Sequence, residues 1–114
     1  MNRVILESPY AGNVDLNTRY ARLCVKDSLS KGEAPLASHL LYTQMLDDDE
    51  EREWGINAGL EWLKGAEYTV VYTDLGVSDG MKRGIEAAYA AGLPVEWRRL
   101  GCSGCFMSKL SDLG

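Results

Sequence analysis

At 114 residues, with 46% apolar and 25% charged side chains, the chain can hold one compact core and is too short for two, and this balance excludes a disordered or fibrous protein. A formal charge of −5 argues against general nucleic-acid binding, which runs on Lys and Arg, while a small anion can still be held by backbone N–H groups. No apolar run approaches the ~20 residues that span a bilayer, and the N-terminus lacks the regions of a signal peptide, so the expectation is a cytoplasmic domain with no membrane partner.

Residues Arg3–Glu7 (RVILE) read as a short strand, ended by Ser8-Pro9-Tyr10-Ala11-Gly12-Asn13, a stretch dense in turn residues. Leu16, Tyr20, Leu23, Cys24 and Leu29 recur at helical spacing, Asn17 is placed to cap, and Lys31-Gly32 stops the pattern, which predicts a helix over 17–31. Ala34–Ser38 holds Pro35 and reads as a brief strand, with a helical turn opening at His39. The acidic run from Asp47 to Glu51 precedes Trp54, Ile56, Ala58, Leu60 and Leu63. Acid in a first turn suits the positive end of a helix dipole, and carboxylates bunched in sequence rarely converge on one ion, so no metal is expected.

Residues Glu67–Tyr72 (EYTVVY) are the best strand in the chain and should be central. A turn follows, Ser78 is placed to cap, and Met81, Ile85, Ala88 and Tyr89 continue at helical spacing to Gly92. Leu93–Trp97 then reads as the last strand. This β-α-β-α-β-α-β order implies a single α/β domain over residues 1–100, Rossmann-like or flavodoxin-like: a mostly parallel sheet of four or five strands with helices on both faces. Residues 101–114 form a tail.

Sheets of this kind bind ligands at the carboxyl ends of their strands, which draws attention to two loops. Ser8, Pro9, Tyr10 and Asn13 offer a hydroxyl, an aromatic that can stack on a base, and a polar rim, with Arg19 and Tyr20 close behind. Asp74, Ser78, Asp79, Gly80 and Met81 place a flexible loop and a cap before a helix, where outward N–H groups suit a phosphate or a sugar hydroxyl. His39, the single histidine, follows a strand end and could meet a phosphate or move a proton, although no Ser or Cys partner is visible in the sequence. Cys102 and Cys105 have the spacing of half a zinc knuckle or of a redox pair, but neither a second pair nor a nearby His completes a site. Reduced thiols and no cofactor are expected. Trp54, Trp62 and Trp97 are candidate interface aromatics, with core burial expected for at least two.

The segments SPYAG, NTRYA, YTDLGVSDGMKRGIEAA and LPVEWR resemble the small phage and prophage proteins of the nucleoside 2-deoxyribosyltransferase-like group, over roughly residues 3–99. The resemblance implies a Rossmann-like sheet, a first-loop aromatic at Tyr10, an Asp at Asp74, and the Ser and Gly of an S-x-G-x-x-x-E helix start at Ser78 and Gly80. The group's nucleophilic Glu falls on Gly84, which has no carboxylate, and Glu86 lies about 200° further round the helix. The resulting expectation is a homo-oligomer that binds a nucleotide or ADP-ribose-derived small molecule without turning it over. In a phage it would sequester a host signalling nucleotide. The alternative is an N-glycosidase or deoxyribosyltransferase acting on nucleosides or nucleoside 5′-monophosphates, with Asp74 or Asp79 as the carboxylate.

Overall fold

A computed structural model describes residues 1–46 and 49–101. Cys102, Cys105 and the rest of the expected tail beyond Gly101 lie outside the described residues, as do Asp47 and Asp48. The elements run β1 (Asn2–Glu7), α1 (Val14–Ser30), β2 (Glu33–Leu36), α2 (Ser38–Leu41), α3 (Asp49–Glu61), β3 (Tyr68–Tyr72), α4 (Asp79–Ala90) and β4 (Val95–Arg98), with 3-10 turns at Tyr42–Gln44 and Trp62–Gly65. The four strands form one all-parallel sheet in the order β2-β1-β3-β4. This is the expected single α/β domain.

Alternation of side chains along the strands sorts the core onto two faces. Val4, Leu6, Val70 and Tyr72 pack with Tyr20 and Cys24 of α1. Ile5 packs with Leu63 and Ala88, and Val71 with Met81 and Ile85, so α4 and the Trp62–Gly65 turn cover the opposite face. Each of these large apolar side chains contributes about 1.5–3 kcal/mol on full burial. The α1 face also carries a polar clamp, in which Glu33 at the start of β2 accepts hydrogen bonds from Ser28, Tyr68 and Arg98.

Two local expectations give way. Helix α1 starts at Val14, one turn early, because Asn13 makes the cap by accepting from the Leu16 N–H at 3.1 Å. Asn17 is buried inside the helix, where its amide donates to the carbonyls of Tyr10 and Ala11 at 3.0 Å and so folds the first loop down onto α1. Trp54, Trp62 and Trp97 are 59%, 53% and 52% exposed, so none of the three is a core residue. The four-residue strand β4 and the Trp62–Gly65 turn lie at the margins of the core, where apolar side chains are only half covered.

Candidate functional site

The chain leaves β1 toward β2 on one side and leaves β3 toward β4 on the other, so the direction of winding reverses between β1 and β3. A crevice opens at the carboxyl ends of the strands at such a point. Glu7 is paired in register with Val71 there, which brings the loop after β1 and the loop after β3 side by side.

On the β1 side, Ser8 is buried and its Oγ lies 2.7 Å from His39 Nε2, so the structure supplies the histidine partner that the sequence did not reveal. Because β2 lies beside β1, the first turn after β2 carries His39 to the end of β1. Burial pushes the His39 imidazole down to about 4, so at neutral pH it is uncharged. Pro9 is buried, Tyr10 is partly exposed, and Asn13 is exposed but committed to the cap of α1. Arg19 pairs with Asp15 at 3.2 Å along the exposed side of α1.

Tyr20 does not lie at the rim. It is fully buried, and its hydroxyl donates to Asp74 Oδ1 at 2.7 Å while accepting from the Asp74 N–H at 3.0 Å. Asp74 also accepts from the Leu100 N–H at 3.0 Å, so its carboxylate holds the exit of β4 against α1 and is not an open ligand group. Met81 is likewise a core side chain, packed with Val71 and Ile85.

On the β3 side, Ser78 caps α4 by accepting from the Met81 N–H at 3.3 Å. Asp79 is fully exposed and lies 3.9 Å from Lys82. Gly80 is exposed, and a Cβ there would meet only the Ser78 Oγ at 4.0 Å, so a ligand could approach the first turn of α4 closely. Glu86 is exposed, away from the crevice, as its angle on the helix requires.

Sequence reasoning missed Glu7. Its side chain shares the α4 face with Ile5 and ends directly beneath Gly84: a Cβ built there would lie 2.2 Å from Oε2 and 2.6 Å from Cδ of Glu7. The bare face of Gly84 is what makes room for this carboxyl. Among the described residues no donor hydrogen-bonds to it, and burial pushes its titration up to about 8. The available signal was a carboxylate ending an otherwise apolar β1, together with a glycine where the resemblance leads one to expect a glutamate.

Among the described residues no cluster of His, Cys, Asp or Glu could hold a metal ion, and no helix is long and apolar enough to cross a membrane. A family model described as a domain of unknown function (DUF7768) matches residues 2–98. No curated protein and no solved structure matches the chain.

Proposed function

The chain belongs to the DUF7768 family, and we propose that it binds a nucleotide or an ADP-ribose-derived small molecule in the crevice between β1 and β3. The observation that carries this reading is Glu7: a partly buried carboxyl without a donor among the described residues, placed where the winding of the sheet reverses. Its oxygens are half-buried and not sealed from solvent, so hydroxyls of a ligand can reach them and pair with the carboxyl. Anionic groups would sit at the first turn of α4, against the free N–H groups beside Gly80, and the base against Tyr10. In a phage, the setting that the sequence resemblance implies, such a protein would work by sequestering a host signalling nucleotide.

Cleavage of an N-glycosidic bond is the second reading, favoured by the position of the Glu7 carboxyl in the space that a side chain at Gly84 would take. Binding without turnover is preferred, because a nucleophilic carboxylate must be ionised and a group titrating at about 8 is mostly protonated at neutral pH. The test is thermal stabilisation against nucleosides, nucleotides and ADP-ribose, followed by chromatography of each mixture. A shift with ligand recovered intact supports binding; released base establishes the second reading, and no shift with any compound rejects both.

A further inference from the structure

We infer that Glu7 makes the crevice selective for ribonucleotides, by engaging the vicinal 2′- and 3′-hydroxyls of a ribose. This rests on the reading of the crevice as a nucleotide site and names the part of the ligand that Glu7 recognises.

The argument begins with what the carboxyl lacks. Two oxygens lie side by side beneath Gly84 with no donor from any described residue, and a carboxyl that is mostly protonated at neutral pH offers one donor and one acceptor, so the complementary ligand group presents two adjacent hydroxyls, one accepting and one donating. A cationic ligand group offers donors only, and the crevice also faces the amino end of α4, whose dipole repels a cation and favours an anion. The sites for an anion and for the donor pair are fixed relative to one another by one helix. Asp79, the first residue of α4, and Gly84 are five residues apart, about 7.5 Å along the axis at 1.5 Å per residue. That span is comparable with the reach from a 5′-phosphate to the far hydroxyls of its own ribose. A phosphate at Gly80 therefore lays the diol edge of the sugar toward Glu7.

Selectivity follows from removal of either hydroxyl. A deoxy sugar leaves one carboxyl oxygen unpaired in a partly buried place, and sites built on hydrogen bonds to a substrate hydroxyl reject analogues that lack it. Glycine at position 84 is part of the device, because any Cβ there drives the carboxyl out.

The experiment measures dissociation constants of the full chain for the four common ribonucleoside 5′-monophosphates and ADP-ribose, alongside the 2′-deoxy and 3′-deoxy forms of the nucleotides. The expected result is a preference for the ribo form of about tenfold or more, lost in both Glu7→Ala and Gly84→Ala and largely kept in Glu7→Gln, whose amide retains one donor and one acceptor. Binding of ribo and deoxy forms with equal affinity, or a preference that persists in Glu7→Ala, overturns the inference and leaves the nucleotide reading standing. If no compound of any series binds, the nucleotide reading fails and the inference falls with it.

Discussion

The guanidinium of Arg98 grips the carboxylate of Glu33 at two points, Nη1 to Oε1 at 2.7 Å and Nη2 to Oε2 at 2.6 Å, and so ties together the two edge strands of the sheet. Both side chains are nearly inaccessible, 8% for Arg98 and 6% for Glu33. Ser28 and Tyr68 donate to the same carboxylate, and Arg98 also donates to the Tyr72 hydroxyl, which in turn donates to Asp27 of α1. Arg98→Met should destabilise the domain by about 3–5 kcal/mol, since it leaves a buried charge unpaired. Replacing Glu33 and Arg98 together by apolar residues should cost less than either single change, and chemical denaturation of all three variants measures this.

The same pair sets an acid limit. Hydrogen bonds from Arg98, and then from Tyr68 and Ser28, hold the Glu33 carboxyl down to about 2 against the opposing cost of burial, compared with an ordinary value of 4.5. A carboxyl whose folded value is lowered contributes stability that is fully present above its unfolded value and lost as pH falls through the folded one. Unfolding free energy should therefore drop between about pH 4.5 and pH 2, and Glu33→Gln should flatten that part of the curve.

Glu7 has the opposite sign. Its folded value of about 8 lies above the ordinary 4.5, so its contribution favours folding at low pH and fades as pH rises from about 4.5 through 8. Glu7→Gln should be the more stable protein above pH 8, by about 1–3 kcal/mol, because the amide carries no charge to desolvate. Gly84→Ala should keep the fold, because the obstructing atoms are the far end of a flexible side chain, and should return Glu7 to the ordinary carboxylate range as the carboxyl swings to solvent. Carboxyl chemical shifts followed through a pH titration measure both effects.

His39 should remain neutral until the pH nears 4, since its buried ring beside Ser8 disfavours the charged form. The folded value lies below the ordinary 6.5, so the chain loses stability as pH falls from about 6.5 to 4, and His39→Gln removes that portion of the pH dependence. Imidazole proton shifts across this range report the titration directly.

Ser78 and Asp74 are structural as well as local to the site, which changes what their removal should do. Ser78→Ala should cost about 1 kcal/mol through loss of the α4 cap. Asp74→Ala should cost about 1–3 kcal/mol, since Tyr20 and the Leu100 N–H lose their acceptor. Thermal unfolding of both variants in the absence of ligand separates these costs from any effect on binding.

The order and type of every main element were legible in the sequence because RVILE, EYTVVY and the helical spacing from Met81 to Tyr89 carry strong periodic signals. The start of α1 was not, because Asn13 and Asn17 are equally good caps on paper and only the contact of Asn17 with the Tyr10 and Ala11 carbonyls decides between them. The site was legible as a place but not as a set of groups. Tyr20 and Asp74 stand at suggestive positions in the chain yet satisfy each other, a pairing across 54 residues that no local pattern discloses. Glu7 and Gly84 are separated still further, and the meaning of either depends on the other. The clamp of Glu33 and Arg98 was invisible for the same reason.

Both margins of the sheet are four residues long, and β2 carries Pro35, a residue with no N–H to donate. On β4, Glu96 and Arg98 occupy alternate positions, with Arg98 drawn inward to Glu33. Short margins interrupted by proline or lined with charge make poor templates for a neighbouring chain, so the sheet is closed to growth by strand addition and resists fibrous stacking.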